Sequence, residues 1–203
     1  MREVPLPRGR HDLPREVVER SQRERIRRAT IEQVAEVGFH KATIAAIVTH
    51  AGVSRQTFYE MYDGKVEAYW DAYAGVAATL LDVTGSEMAV GTADAMTRLR
   101  AGLEAYLAWL AADPVVTRCF ILERPGRSGQ ITEIEEQVAA AGELSLAALF
   151  PAVTAFDRRA YTAILDACIR SCIIAGETER LPDLVDPIMR IAERILVGQP
   201  ITV

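Results

Sequence analysis

The sequence predicts an all-α fold with a small N-terminal helical domain and a larger C-terminal one. Half of the 203 residues are hydrophobic but only 6% are aromatic, and a chain rich in Ala, Leu, Ile and Val favours packed helices over sheets. Apolar residues recur at helical spacing along most of the chain, and no segment alternates as a half-buried strand does. We assign the two domains to residues 21–64 and 65–203, a length that buries a substantial core.

Residues 1–20 precede the first predicted helix and contain three prolines and five arginines. This composition predicts a flexible basic arm. The first helix is expected to begin near Gln22, with Ile26 and Val34 on its apolar stripe. It should end before Gly38, because glycine is the preferred residue just after a helix C-terminus.

Two shorter helices are predicted next. Thr43 is a favourable N-cap for the second helix, and Ser54 is a favourable N-cap for a third that ends near Glu60. The intervening Ala51-Gly52-Val53 forms a tight turn, in which the glycine permits positive φ and the valine fills a small core. Asp63-Gly64 then breaks the chain and ends the domain.

Caps and breakers divide the remainder of the chain into further helices. Asp113-Pro114 combines an N-cap with a proline at the first helical position, which is a typical helix start, and Asp157 is expected to cap a later helix. Loops are predicted at 84–92 and 124–129. The predicted helices span residues 65–83, 93–112, 114 onward, 132–150, 157–176 and 182–197.

Charge is distributed unevenly along the chain. The net charge of −5 argues at first against a nucleic-acid partner, but residues 1–69 carry 12 Lys and Arg against 10 Asp and Glu, a net +2, whereas the rest carries −7. A basic head on an acidic body is compatible with DNA binding at one end of the molecule.

The chain has no sign of a membrane, secreted or metal-binding protein. No apolar run approaches the roughly 18 residues of a spanning helix, and the N-terminus lacks the apolar core of a signal peptide. The three cysteines lack metal-site spacing and are interpreted as buried structural thiols. We expect a cytoplasmic protein with no membrane partner and no cofactor.

The most informative stretch runs from Ile26 to Ala68. Two short helices joined by a tight turn fit a helix-turn-helix, in which the second helix enters the major groove of DNA. The third predicted helix, which is the second of the motif, begins Ser54-Arg55-Gln56-Thr57-Phe58-Tyr59, so guanidinium, amide, hydroxyl and phenol groups occupy its outer face while Phe58 packs inward. These groups suit hydrogen bonding to base edges and phosphates.

The same stretch resembles the TetR family of transcriptional regulators. The family's pattern is matched with its spacing intact by Gly38-Phe39, Thr43, Ile47-Val48, Ala51-Gly52-Val53-Ser54, Thr57-Phe58-Tyr59 and Gly64-Lys65. The resemblance implies a three-helix DNA-binding domain followed by a C-terminal helical domain for ligand binding and dimerisation.

The resemblance also implies roles for individual residues. Thr43 begins the second helix, where its hydroxyl and the amides of the helix start would contact a phosphate. Tyr59 and Lys65 would contact phosphates as well. Plain core filling is the alternative role for Tyr59. The candidate DNA-binding set is Thr43, Ser54, Arg55, Gln56, Thr57, Tyr59 and Lys65.

The last two predicted helices carry apolar stripes that the resemblance assigns to a four-helix dimer bundle. An intrachain core is the alternative. The stripes consist of Tyr161, Ile164, Leu165, Cys168 and Cys172, and of Leu184, Ile188, Ile191 and Ile195. Residues ahead of this surface are candidates for an apolar ligand pocket, although core packing explains each of them too: Met96, Leu103, Tyr106, Trp109, Cys119 and Phe120. No residue is assigned to ligand binding.

Two classes of function compete with this interpretation. An enzyme is disfavoured, because the chain has no nucleophile elbow, phosphate-binding loop, dinucleotide loop or zinc-protease motif, and no catalytic or metal-binding residue is predicted. A DNA-binding protein without a ligand is the other. We expect a repressor that binds a palindromic operator as a homodimer and is released by a largely apolar small-molecule inducer. A ligand-free regulator and an activator are the alternatives.

Overall fold

The computed structural model describes residues 14–89, 93–123 and 129–198, and over these ranges it contains helices and no strand. The all-α prediction is confirmed. A 3₁₀ helix at Thr178–Leu184 precedes the last α-helix. The α-helices are α1 (Arg15–Val37), α2 (Ile44–Ala51), α3 (Arg55–Tyr59), α4 (Lys65–Ala89), α5 (Ala95–Ala112), α6 (Pro114–Leu122), α7 (Gly129–Leu149), α8 (Ala155–Ile174) and α9 (Val185–Leu196).

Helix α1 begins at Arg15, earlier than the predicted Gln22, so the last six residues of the predicted arm are helical. Pro14 stands at the N-cap, where its missing N–H costs nothing, and its carbonyl accepts from the backbone N–H of Val17 at 2.9 Å. Arg15 pairs with Glu19 one turn later at 2.5 Å. These local contacts extend the helix toward the N-terminus, and the rest of the predicted arm, residues 1–13, lies outside the described residues.

The first three helices and the start of α4 enclose a small apolar core of their own. Its members are Ile26, Ala29, Ile47, Val48, Ala51, Phe58, Tyr62 and Ala68. Both predicted caps are observed, because the Thr43 side chain accepts from the Ala46 N–H and the Ser54 side chain accepts from the Thr57 N–H. The first three helices and the start of α4 therefore form one packed unit, which is called the head below.

Helix α4 continues to Ala89, although a loop was predicted from residue 84. Tertiary contacts explain the extra turns, because Met88 is buried and its carbonyl accepts from Arg98 Nε on α5 at 2.6 Å. Gly102 on α5 allows this close approach, since a Cβ there would lie 2.2 Å from Met88 Cγ. Residues 90–92 of the predicted loop lie outside the described residues.

Other helix ends differ from the prediction by a few residues. The predicted start at Asp113-Pro114 is confirmed, with the Asp113 side chain capping α6. Thr154 caps α8, whereas Asp157 was predicted to do so; the Asp157 N–H donates to Thr154 Oγ1 at 3.2 Å and the Thr154 hydroxyl donates back to the Asp157 carboxylate. Residues of this type three apart satisfy each other's free groups at a helix start.

The segments around the two remaining predicted breaks are helical in part. Helix α7 starts at Gly129, which was predicted to be in a loop, and residues 124–128 of that loop lie outside the described residues. The chain around Pro182 forms the 3₁₀ helix, and α9 begins only at Val185. The last helix was predicted to start at Pro182, so its first three residues lie in the 3₁₀ helix and its α-helical part is shorter than predicted.

Helices α4 to α9 share a second, larger core with one side of α1. Cys119 is buried in it, whereas Cys168 and Cys172 are half-buried on α8, and burial raises the pKa of the Cys119 thiol to about 12. No single described helix is long and apolar enough to cross a membrane; α5 and α6, which meet at a 105° bend, reach that threshold only when taken together.

Candidate nucleic-acid interface and internal cavity

The turn between α2 and α3 depends on Gly52, which has a left-handed φ of 62°. From α1, the Arg25 guanidinium donates to the carbonyl of Ala51 at 2.8 Å and to that of Gly52 at 3.2 Å. These bonds satisfy carbonyls at the C-terminus of α2 that have no partner within the helix. Sequence analysis did not identify Arg25, because an arginine on a helix surface gives no local sign of a partner 26 residues away.

Helix α3 turns one side toward the core and the other outward. Phe58 is fully buried, whereas Tyr59 is 55% exposed and its ring forms a T-shaped contact with that of Phe58. The exposure argues against core filling as the role of Tyr59. Ser54 Oγ lies 2.9 Å from the hydroxyl oxygen of Thr57, so the two hydroxyl groups at the start of this helix are held together.

The remaining polar residues of α3 are accessible. Arg55 is exposed, and no hydrogen bond or ion pair joins it to the part of the chain that the structure describes. Gln56 is exposed and donates to the Glu60 carboxylate at 3.0 Å. Thr43 is exposed at the N-terminus of α2. The predicted residues Thr43 and 54–57 thus lie on exposed or half-exposed positions of adjoining helix starts.

Lys65 has neighbours that the sequence did not reveal. Its ammonium donates to the carbonyls of Phe39 at 2.7 Å, Ala42 at 2.8 Å and His40 at 3.3 Å, and it lies 4.6 Å from the centre of the Phe39 ring. An ammonium has three donors, so a phosphate contact would replace one of these bonds. The arrangement favours a structural role, in which Lys65 holds the segment between α1 and α2 against α4.

Lys41 is a basic residue of the head that sequence analysis missed. It is exposed two residues before the N-cap Thr43, and no ion pair to it is found within the described ranges. Its position in the sequence could have indicated a role in DNA binding. A cation next to a helix start that is predicted to meet a phosphate adds favourable charge.

A network of charged and polar groups ties the end of the head to α4. Arg27 donates to both oxygens of Asp71, at 2.8 and 2.5 Å, and the Tyr62 hydroxyl donates to the same carboxylate at 2.5 Å. Burial opposes ionisation of Asp71, but the bonds from Arg27 and Tyr62 and the nearby guanidinium of Arg23 outweigh it and hold its pKa below the usual value. The carboxylate therefore joins α1, the end of the helix-turn-helix and α4.

A large cavity of about 820 Å³ lies in the C-terminal domain between α4, α5, α6, α7 and α8. Of the residues predicted to line a pocket, Leu103, Tyr106 and Phe120 do line it, whereas Met96, Trp109 and Cys119 do not. Those three contribute to the adjoining core instead. Most of the other lining residues are apolar, among them Leu80, Leu81, Met88, Leu99, Ile121, Val138, Leu146 and Leu165.

Helices that form the cavity walls also contact the head. On α4, Tyr73 lines the cavity, and the Tyr69 hydroxyl one turn earlier donates to the carbonyl of Glu123 at 2.6 Å, just after α6. The Glu123 carboxylate accepts from the backbone N–H of Phe39 at 3.4 Å, and Arg28 on α1 pairs with Asp113. A change in the cavity walls therefore has direct routes to the head.

The apolar stripes of α8 and α9 are divided between the inside and the surface. Tyr161 and Ile188 are buried in the chain's own core, at 2% and 1% exposure, so these two do not belong to an exposed surface. The other stripe residues are half-exposed although packed on the core: Ile164, Leu165, Cys168, Cys172, Leu184, Ile191 and Ile195. These side chains are thus only partly covered within the chain, and Leu165 lines the cavity as well.

Comparison with known proteins identifies both the head and the fold. Residues 26–67 match the model of the bacterial regulatory proteins of the tetR family. No curated protein sequence matches the chain. The family match covers the helix-turn-helix and the first residues of α4.

Solved structures share the fold over most of the chain. The fatty acid degradation regulator FadR from Bacillus halodurans has 22% identity and a TM-score of 0.74, covering 87% of this chain and 99% of its own. FadR from Bacillus subtilis, solved in complex with stearoyl-CoA, has 15% identity and a TM-score of 0.75 at the same coverage. A TetR-like regulator from Rhodococcus sp. RHA1 has 18% identity and a TM-score of 0.70, covering 92% and 100%. At these identities the likeness is one of fold.

The sequence motif, the geometry of the head and the family match all indicate a helix-turn-helix DNA-binding domain. TetR-family regulators are DNA-binding transcription factors and not enzymes, and the predicted helix-turn-helix lies within the matched residues. The N-terminal part of the chain, residues 26–67, therefore matches the TetR family of bacterial transcriptional regulators, and the resemblance predicted from the motif is confirmed over these residues.

Proposed function

We propose that this regulator is a repressor that binds a palindromic operator as a homodimer and is released by a largely apolar small molecule. The observation that carries the proposal is the 820 Å³ cavity, whose wall helices α4 and α6 also contact the DNA-binding head. Cavities of 300–1,000 Å³ with apolar walls are typical of small-molecule sites.

For the operator, we propose that α3 enters the major groove. Arg55, free of partners among the described residues, reaches a base edge, with Gln56 and Thr57 beside it. Tyr59 directs its exposed phenol toward a phosphate. Thr43 and Ser54 stand at the starts of α2 and α3, where they approach the backbone, and Lys41 adds a phosphate contact. Lys65 contributes mainly by holding the segment that carries Lys41 and Thr43.

For the dimer, the half-exposed apolar side chains of α8 and α9 supply the contact surface. Two-fold symmetry makes such a surface pair with itself. A dimer presents two α3 helices, which must lie about 34–36 Å apart to enter successive major grooves of a palindromic site. An inducer that favours another separation by about 1–3 kcal/mol changes operator affinity roughly 5- to 150-fold.

For the ligand, the walls of the cavity favour a molecule with a substantial apolar part. The stearoyl-CoA bound by the structurally similar FadR of Bacillus subtilis is such a molecule. A regulator without a ligand would be expected to fill this space with side chains, because protein interiors pack tightly. An activator role is the remaining alternative, since the sign of regulation depends on where the operator lies relative to the promoter.

The test combines operator selection with ligand release. Genomic fragments that bind the purified protein are selected and footprinted, and two protected half-sites about one helical turn apart are expected. A panel of apolar metabolites is then screened for release of the selected fragment. A single unsymmetrical footprint would contradict the dimer, and a full panel without release would contradict the inducer.

A further inference from the structure

Tyr161 lines the cavity and carries a buried hydroxyl group. Its side chain is 2% exposed, and its hydroxyl forms no hydrogen bond with any residue in the described ranges. The hydroxyl of Thr84, on the α4 side of the same cavity, is buried and unpaired in the same sense. Buried hydroxyl groups almost always have a partner, so these two point to a polar atom that the cavity accommodates.

The charges of the cavity wall restrict what that atom can be. Among the residues that the structure describes, the charged groups lining the cavity are the carboxylates of Glu135, Glu143 and Asp166 and the guanidinium of Arg159. Glu143 already pairs with Arg158 at 2.8 Å and Asp166 with Arg170 at 2.8 Å.

Arg159 does not supply a charge deep in the cavity. It is exposed, and its Nε donates to the carbonyl of Ala155 at 3.3 Å. Within the described ranges, a deeply bound anion would therefore lie near carboxylates and away from the exposed guanidinium of Arg159, and burying an unpaired charge is strongly unfavourable.

We infer that the ligand is an apolar chain that carries an uncharged carbonyl oxygen, as in an ester, thioester or amide, and that Tyr161 Oη donates a hydrogen bond to this oxygen. A free fatty acid, ionised at neutral pH, is disfavoured at this position. The inference rests on the proposed function in that it takes the cavity as the sensor site. Thr84 offers a second donor in the same wall.

Two probes of equal chain length test the inference, methyl decanoate and decanoate, bound to the full-length protein at pH 8, where the acid is ionised. Calorimetry gives Kd for the wild type, Tyr161→Phe and Thr84→Val. Tyr69→Phe is the matched control, because its hydroxyl is bonded to Glu123 outside the cavity. We expect the wild type to bind the ester at least about tenfold more tightly than the acid, and Tyr161→Phe to weaken ester binding by about tenfold, the effect of one hydrogen bond.

In the control Tyr69→Phe, the ratio of the two Kd values should equal that of the wild type. Equal affinity of the wild type for ester and acid would overturn the inference, as would the absence of binding by both probes. An unchanged ratio in Tyr161→Phe would also overturn it, since a water molecule would then satisfy the hydroxyl. Should Tyr161→Phe misfold by circular dichroism, Thr84→Val is expected to reduce the ester preference, and an unchanged preference overturns the inference. These Kd measurements contain no DNA, so they test the ligand separately from regulation. If the ester is clearly preferred here but does not release the operator in the screen described above, only the proposed function is rejected.

Discussion

At the scale of single residues, the two basic side chains predicted to contact DNA differ in how freely they can do so. Arg55 is exposed without a partner in the described structure, whereas the Lys65 ammonium is bonded to three carbonyls. From the sequence, both belonged to the DNA-binding set, Arg55 on the helix that reads base edges and Lys65 at a phosphate. Their surroundings lead to different expectations for the two alanine variants, a loss of sequence discrimination for Arg55 and a loss of stability for Lys65.

Arg55→Ala is expected to reduce sequence discrimination. A guanidinium at the start of a recognition helix suits the two acceptors of a guanine edge, so its loss should cost about 1–3 kcal/mol on the matched operator and relax preference at one position in each half-site. Titrations against matched and singly substituted operators measure both effects. Full discrimination in the variant would assign base recognition to Gln56 and Thr57 instead.

Lys65→Ala is expected to lower stability, because three carbonyls lose a charged donor, at a cost of about 1–3 kcal/mol in the free energy of unfolding. Lys41→Ala is the matched control. Its exposed side chain should leave stability unchanged, and the variant should show a salt dependence of DNA binding that is smaller by about one unit for each phosphate it no longer neutralises. Urea unfolding and salt titration separate the two. A Lys65→Ala variant with wild-type stability and a reduced salt slope would restore the phosphate role.

At the scale of elements, the Asp71 carboxylate connects α1, the end of the helix-turn-helix and α4 through Arg27 and Tyr62. Its pKa is lowered in the folded protein, since bonds and charges from Arg27, Tyr62 and Arg23 outweigh the effect of burial. Such a carboxylate stabilises the fold above its unfolded pKa of about 4, and this contribution is lost as the pH falls through the folded value.

Asp71→Asn should therefore lower the free energy of unfolding at pH 7 by about 1–3 kcal/mol, and the difference from wild type should shrink as the pH falls below about 4. The control is Asp186→Asn, whose pair with Arg100 is largely exposed and should therefore contribute little to stability. Urea unfolding between pH 3 and 7 measures both. A pH-independent deficit in Asp71→Asn would contradict the electrostatic explanation.

At the scale of the whole molecule, the α8 and α9 surface is expected to join two chains. Ile195→Glu introduces a charge at a half-exposed position of that surface, where burial against a partner costs several kcal/mol if the charge stays unpaired. Analytical ultracentrifugation should find monomers with wild-type helix content. Operator affinity should fall as well, because only one recognition helix is then presented.

Ile188→Ala is the control for this prediction. Ile188 is 1% exposed inside the chain, so the variant should lose about 2–5 kcal/mol of stability and remain dimeric. If Ile195→Glu sediments as a dimer at the same concentration, the interface lies elsewhere.

Much of the head could be predicted from the sequence alone. Thr43 and Ser54 cap their helices as expected, Gly52 has positive φ, Phe58 is buried, and the helix-turn-helix motif identified the DNA-binding class. These features depend on residues within a few positions of one another. Cap and turn preferences are local properties of the backbone, so a single sequence is sufficient to determine them.

The cavity and the surfaces outside the core were decided by tertiary structure. Tyr161 was predicted for a dimer stripe but lines the cavity, Ile188 lies inside the chain, and Lys65 bonds to carbonyls about 25 residues away. Helix α4 continues into the segment predicted to be a loop, because Arg98 on α5 donates a hydrogen bond to the carbonyl of Met88. An apolar stripe predicts that a helix face is buried, but it does not identify the segment that packs against that face. The partner of each face depends on contacts between distant segments, and those contacts determine which apolar residues enclose a cavity, fill a core or remain for a second chain.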